Sequence, residues 1–519
     1  NIDALLSGRM WSGALTYAFP DMAGDFEAGN LEVGLGFVPA SLNQMQAARY
    51  LLEGFSPYAG GPRMGLTAVE QFTNLSISDA GFDGADIRIS RSPGANPTAY
   101  AYYPDAAPFG GDVWFGTRYN YGDPRLGTYS YQTMAHELGH ALGLKHGHVG
   151  GGVANVALSP DRDTLEFSVM TYKSYVGHPM DGYSNETYGY PQTYMMYDIA
   201  ALQAMYGANF GANSGNTVYR WDAKTGETFV NGVGQGAPGT GLGGYSNRVF
   251  LTIWDGGGID TYDFSNSTDD ASIDLTPGSW SAFSNAQRAY LGMGNYARGN
   301  VFNALQYQDD PRSLIENATG GSGSDTIRGN AAANTLVGQR GNDTLFGHDG
   351  DDRLSGGIGS DILYAGAGAD LVDGGDGFDY AGYDEANHAG FTASLLYAGW
   401  NTGVAAGDIY VGIEGLILGS GDDVGYGTAA DNYLYGRAGS DTLFALGGQD
   451  SLFGEDGNDN LIGGEGHDHL FGGLGGDLLQ GQAGFDYARY DDASYAGFVV
   501  SLTSQSLNTG VAAGDVLIG

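Results

Sequence analysis

Residues 136–146 read HELGHALGLKH, the pattern H-E-x-x-H-x-x-G-x-x-H. His136 and His140 are four apart, so on a helix they share one face. Glu137 stands beside them, within reach of a water held between the imidazoles. Gly143 can take a left-handed conformation, end the helix and turn the chain. That turn would bring His146 back as a third ligand. Three neutral imidazoles suit one zinc ion and leave its fourth position open, the arrangement of a catalytic site. Such an ion acidifies water and polarises a carbonyl, and Glu137 is placed to take the proton. A bare HExxH arises by chance in many helices. The longer motif fixes five positions, with a chance probability on the order of one in ten million per start.

The segment Ser168-Val169-Met170-Thr171-Tyr172 follows. A methionine in this S-x-M-x-Y context, downstream of the long histidine motif, is expected to turn beneath the metal as a structural floor. The elements that must position these groups can also be read. Tyr131 to Ala135 leads into the motif helix, with Met134, Leu138 and Leu142 for its buried side. Ser41 to Phe55 has helical apolar spacing at Met45, Ala48, Leu51 and Leu52, with Ser41 as cap. Residues 85–89 and 98–102 alternate as strands do.

A different chemistry fills the second half. From Gly320 the chain runs in steps of nine (GGSGSDTIR, GNAAANTLV, GQRGNDTLF, GHDGDDRLS and onward), and a second array starts at Gly427. The pattern G-G-x-G-x-D-x-L-x is the calcium-binding nonapeptide of a parallel β-helix. Each unit is a glycine-rich turn and a short strand. The turn exposes carbonyl oxygens, position six adds a carboxylate, and position eight points into the core. Asp325, Asp343, Asp352, Asp361 and Asp370 fill position six in the first array, and Asp441, Asp450, Asp459, Asp468 and Asp477 in the second. Several structural calcium ions are therefore expected, and without them the rows of carboxylates should repel.

A longer repeat overlies the short one. GFDYAGYDEANHAGF at 377–391 matches GFDYARYDDASYAGF at 484–498, and NTGVAAGDIYVG at 401–412 matches NTGVAAGDVLIG at 508–519, both offset by 107 residues. The second half is a tandem duplication, and its second copy is expected to be incomplete.

Composition narrows the function. The 519 residues carry 60 acidic against 21 basic side chains, a formal charge of -39. That excludes a nucleic-acid binder, which needs lysine and arginine for phosphates. No stretch of ~20 apolar residues exists for membrane insertion. The chain has no cysteine, so disulfide scaffolds and thiol catalysis are excluded.

The zinc motif, the S-x-M-x-Y turn and the nonapeptides, in this order, resemble the serralysins, secreted bacterial zinc endopeptidases with a metzincin domain followed by a calcium-bound β-roll. The resemblance covers most of residues 1–380. It implies that Tyr172 is a further zinc ligand that swings away when substrate binds and then supports the transition state. It implies a substrate-binding edge strand at Gly111, Asp112, Val113 and Trp114. It also implies a calcium site closing the first turns of the roll, with Asn213, Gly215, Thr217, Asp255, Gly257 and Asp260 as ligands. Asn216 stands there in place of an aspartate. After His146 the chain has Gly147-His148 where relatives commonly have a proline, and His148 is expected as a solvated loop residue.

The expected fold is an α/β metzincin catalytic domain over 1–210, then an all-β parallel β-roll. Junction strands and the first roll occupy 211–382, a spacer 383–418, a second array 419–489 and a truncated spacer 490–519. The expected function is a secreted, monomeric zinc endopeptidase acting on extended protein substrates, exported unfolded through type I secretion machinery. The rival reading is a calcium-rigidified extracellular adhesin or matrix-binding module.

Overall fold

The computed structural model describes residues 2–26, 30–54, 66, 68–82, 84–180, 182–239, 246–491 and 498–519. By contacts the chain divides into two units: Asn1–Asn266 with Asp274–Ile315, and Ser267–Ile273 with Glu316–Gly519.

The first unit is built on a five-stranded sheet: β1 (Leu15–Ala18), β2 (Ile77–Asp79), β3 (Ile87–Arg91), β4 (Ala99–Ala101) and β5 (Val113–Phe115), in the order β2-β1-β3-β5-β4. β1 pairs in parallel with β2 and β3, β3 pairs in parallel with β5, and β4 runs antiparallel to β5. The inner strand β5 is apolar on both faces, whereas β3 alternates Ile87 and Ile89 with Arg88 and Ser90. Helix α1 (Leu42–Glu53) has the expected Ser41 cap, whose hydroxyl accepts from Gln44 N while the Gln44 side chain accepts from Ser41 N. It ends at Gly54; the expected endpoint, Phe55, lies outside the described residues. Helix α2 (Tyr129–Ala141) carries the histidine motif and α3 (Met196–Tyr206) follows the S-x-M-x-Y turn. Leu51, Met134, Leu138, Ile199 and Leu202 meet Tyr17, Ile87 and Phe115 in one core.

Residues 211–266 and 274–315, expected with the roll, belong by contacts to this first unit. Polar anchors hold them there. Gln192 Nε2 donates to Arg248 O at 2.6 Å, Gln192 N to Phe250 O at 2.8 Å and Tyr50 OH to Gln235 O at 2.9 Å. Arg248 also pairs with Glu186 at 2.6 Å.

The second unit is a parallel roll. Thr326 is paired with Thr344 and Thr344 with Ile362, so two nonapeptides make one turn. Position eight fills the interior: Ile327, Leu345, Leu363, Leu434, Leu452 and Leu470 on one face, Leu336, Leu354, Leu443, Leu461 and Leu479 on the other, all essentially inaccessible. Phe346 stacks on Tyr364 at 4.8 Å, and Tyr435, Phe453 and Phe471 continue the same motif at 4.5 and 4.4 Å. The expected spacer, 383–418, contributes three strands: Thr392–Ser394, Ile409–Val411 and Gly415–Ile417. Gly415–Ile417 pairs with Tyr380–Gly382 behind it and Tyr433–Tyr435 ahead, so one face continues through both arrays. On the opposite face Ile409–Val411 ends the first sheet and Thr392–Ser394 begins another. Adjacent turns lie close enough that a Cβ on Gly475, whose φ is +145°, would sit 1.4 Å from Gly457 O.

Candidate active site

Helix α2 starts at Thr128, whose hydroxyl accepts from Tyr131 N, and all of its residues from Tyr131 to Ala141 are buried. At its end Gly143 takes φ +106°, and a Cβ there would lie 2.2 Å from Arg9 O, so the turn both needs glycine and presses on the chain's first segment. Lys145 N then bonds Leu5 O at 2.8 Å, and the chain returns His146 to the helix face.

The three imidazoles converge. His136 and His140 each hold Nε2 at 3.0 Å from Nε2 of His146. His136 Nδ1 donates to Val169 O and His140 Nδ1 to Leu144 O, both at 2.7 Å. Those bonds place the ring protons on Nδ1 and leave Nε2 lone pairs facing one another. Burial, and then mutual repulsion, holds each ring far below the ordinary histidine pKa, at about 3. A cluster of neutral acceptors with no proton between them calls for a cation, and the donor set fits zinc. Among the described residues these three form the one such group.

Glu137 is buried beside them with Oε2 lacking a hydrogen-bond partner, and burial pushes its carboxyl up to about 8. A nearby cation would restore its charged form. Tyr172 OH lies 2.8 Å from His146 Nε2, its ring stacked on His136 at 5.7 Å. Met170 is fully buried under the helix, its sulfur only 2.7 Å from where a Cβ on Gly139 would sit, so Gly139 lets the floor approach. His148 is half-buried rather than solvated. Its ring stacks on His146 at 5.4 Å and tilts against Tyr172 at 5.2 Å, because Gly147 turns the chain back over the site.

Asp198 is the residue whose role sequence reasoning missed. It lies in the first turn of α3, is fully buried, and accepts from Ser168 OH (2.6 Å), Val169 N (2.7 Å) and Met195 N (3.0 Å). It thereby fixes the turn whose Val169 carbonyl orients His136. An aspartate at the start of a helix after the methionine turn was the available signal.

The edge strand is not at Gly111 to Trp114. β5 lies between β3 and β4, and Asp112, Val113 and Trp114 are all 0% exposed. Arg88 Nε donates to Asp112 at 2.7 Å, a buried ion pair inside the sheet. The outermost strand on this side of the sheet is β4, Ala99–Ala101, with β2 at the opposite edge.

The junction residues do come together. Asp260 Oδ1 accepts from Thr217 N at 2.7 Å, Thr217 OH donates to Gly215 O at 2.8 Å and to Asn213 O at 3.3 Å, and Asp255 Oδ1 accepts from Gly257 N at 2.8 Å. Burial, then Asp255, raises the Asp260 carboxyl. Asn216 Oδ1 instead accepts from Ile259 N at 3.1 Å, a structural bond.

In the roll, position six forms ladders. Asp325 N donates to Asp343 Oδ1, Asp343 N to Asp361 Oδ1 and Asp361 N to Asp379 Oδ1, at 2.7 to 2.8 Å. The second array repeats this from Asp423 through Asp441, Asp459 and Asp477. The other oxygen, Oδ2, is buried without a hydrogen-bond partner in Asp343, Asp352, Asp361, Asp370, Asp379, Asp441, Asp450, Asp459, Asp468 and Asp477. Unpaired buried carboxylate oxygens in register with carbonyls fit calcium. Asp379 joins the expected set. Asp325 differs from it, since its Oδ2 already accepts from Gly321 N at 2.6 Å. Two rows end on a tyrosine: Tyr383 OH donates to Asp408 Oδ2 at 2.6 Å and Tyr490 OH to Asp515 Oδ2 at 2.7 Å.

The chain is similar to known proteins. The family described as RTX calcium-binding nonapeptide repeat matches at 319–354, 346–381, 417–452 and 453–488. Serralysin G of Dickeya chrysanthemi is 31% identical over 333 residues, covering 62% of this chain and 60% of the relative. Serralysin of Proteus mirabilis is 30% identical over 339 residues, 61% of this chain and 59% of the relative. Metalloprotease AprA of Pseudomonas entomophila is 34% identical over 241 residues, 45% of this chain and 44% of the relative. The chain thus spans at most 60% of the length of these relatives. It is serralysin-like and carries RTX repeats.

Proposed function

We propose that the chain is a zinc-dependent endopeptidase whose calcium-bound roll folds outside the cell. The observation that carries this is the set of three Nε2 lone pairs facing one another beside buried Glu137. His136, His140 and His146 would hold zinc, with Met170 beneath, and Tyr172 would be a fourth, displaceable contact; its hydroxyl 2.8 Å from His146 Nε2 supports this. Bound there, zinc supplies Lewis acidity toward water and the peptide carbonyl. Glu137 takes the proton from the attacking water and carries it to the leaving amine. The Tyr172 phenol, which burial pushes up to about 12, stays protonated and can donate to the oxyanion. An extended substrate would add to the outer edge of β4 by backbone pairing.

Calcium would be held by the buried aspartate rows and by the junction set of Asn213, Gly215, Thr217, Asp255, Gly257 and Asp260. Scarce cytosolic calcium would leave the roll unfolded for export by type I machinery, and external calcium would fold it. Among the described residues no helix is long and apolar enough to cross a membrane. The chain is expected to act as a monomer. The adhesin reading is not favoured, because the similar proteins are named as proteases and the histidine and glutamate set is complete.

The test is casein hydrolysis by the chain and by Glu137→Ala in zinc and saturating calcium, with bound zinc measured. Cleavage by the wild type alone is expected. Equal cleavage by a zinc-loaded Glu137→Ala variant sinks the role given to Glu137, and no cleavage by either sinks the protease reading.

A further inference from the structure

The turns of the roll are not all built alike. The first turn of the first array, 320–337, carries Asp325 and Asn334 at position six. The first turn of the second, 418–435, carries Asp423 and Asn432 there. In all four the side-chain oxygen is taken by the chain itself, through the backbone N–H four residues earlier, at position two. Gly321 N donates to Asp325 Oδ2 at 2.6 Å and Asn330 N to Asn334 Oδ1 at 2.7 Å. Gly419 N donates to Asp423 Oδ2 at 3.1 Å and Thr428 N to Asn432 Oδ1 at 2.6 Å. The two asparagines add an amide donor that no aspartate has: Asn334 Nδ2 donates to Glu316 O at 2.8 Å and Asn432 Nδ2 to Glu414 O at 2.9 Å.

The ten aspartates whose Oδ2 has no partner, Asp343 to Asp379 and Asp441 to Asp477, all belong to later turns. There the residue at position two is left-handed in every unit, from Gln339 (φ +81°) and His348 (+75°) in the first array to Leu446 (+80°) and Glu455 (+70°) in the second. Gly321, Asn330, Gly419 and Thr428 are not left-handed. A left-handed backbone is costly for a residue with a side chain, and the chain accepts that cost only where it turns the N–H away and leaves the carboxylate oxygen open. In the first turns the N–H points at the oxygen instead. It puts a positive pole on the side from which a cation would approach, and it satisfies the oxygen without one. We infer that the first turn of each array holds no ion and that the backbone N–H of position two stands in its place. Calcium loading then starts at the second turn, against a template that is hydrogen-bonded before any ion arrives. The inference rests on the reading that the aspartate rows hold calcium, and it names which turns do so.

The test is an anomalous difference map from crystals of the full chain grown in zinc and saturating calcium. Peaks are expected within about 3 Å of Oδ2 in the ten later aspartates, and none within that distance of the side-chain oxygens of Asp325, Asn334, Asp423 or Asn432. In solution, the calcium bound at saturation is counted by atomic emission. Asp441→Asn should lose at least one ion per chain. Asp423→Asn, which copies the residue already present at Asn432, should keep the wild-type count, with circular dichroism showing that both variants are folded. A peak on any of the four first-turn oxygens overturns the inference, and so does the loss of an ion from folded Asp423→Asn. Rows that carry no peak at all in saturating calcium overturn the calcium reading itself, and this inference with it.

Discussion

Gly475 and Gly476 are neighbours with opposite expectations. A Cβ on Gly475 would lie 1.4 Å from Gly457 O, at φ +145°, whereas on Gly476 the nearest atom, Asn458 Oδ1, is 3.4 Å away. Backbone of the Gly475 kind costs other residues about 1–3 kcal/mol. The clash adds to this. Real Cβ contacts do not fall below 3.0 Å, so the two turns must part by more than an ångström. The ladder bond from Gly457 N to Leu474 O, now 2.8 Å, is then stretched. One or two such bonds are worth about 1 kcal/mol each. Gly475→Ala should therefore destabilise the roll by about 2–5 kcal/mol. Gly476→Ala should lie between neutral and about 1 kcal/mol stabilising, through the unfolded chain's lost freedom. Denaturant unfolding at one saturating calcium concentration, followed by far-UV circular dichroism, compares the two. Coincident midpoints would refute the argument that stacking distance, rather than glycine content in general, fixes these positions.

Other outcomes follow from the same structure. Asp198→Asn replaces a three-bond acceptor with a group that must turn an N–H toward donors. Zinc affinity or casein turnover should fall about 10- to 100-fold, read by competition with a chelator. In calcium-free buffer Asp343, Asp352, Asp441, Asp450 and Asp477 are pushed up to about 7, by burial first and neighbouring aspartates next. Unfolded aspartates titrate near 4. Between those values the fold binds protons that the unfolded chain does not, so calcium-free stability must fall as pH rises through that window. Circular dichroism in chelator should show more β structure at pH 5 than at pH 8, with calcium erasing the difference; the opposite trend would contradict the ladder account. Leu446 occupies a left-handed position, φ +80°, where its partner Gly464 has φ +118°. Leu446→Gly should raise stability by about 1 kcal/mol in the same denaturation assay.

Short-range chemistry was legible in the sequence, and spatial order was not. The histidine motif encodes its own geometry, because a helix period and one glycine turn suffice to converge three rings. The nonapeptide encodes its coil for the same reason. The edge strand failed because it depends on which strand lies outermost, a long-range fact. A signal existed: Val113-Trp114-Phe115 is apolar on both faces, as a covered inner strand must be, while Ala99-Tyr100-Ala101 is small and half-exposed. Asp379 escaped because Ala381 stands where leucine normally marks the unit. Asp198 escaped because its partners lie about thirty residues upstream, and only folding brings the two turns together.

The unbroken face of the roll has a consequence for how such a chain can lengthen. Strands from Thr326–Arg328 to Tyr487–Arg489 keep one hydrogen-bonded ladder while the opposite ladder stops and restarts at the insert. A copied block of 107 residues can then be spliced in as a cassette. The continuing side carries the register, and the restarted side absorbs any mismatch in a loop. Inheritance can change this domain's length in whole modules, with the neighbouring turns needing no compensating mutation.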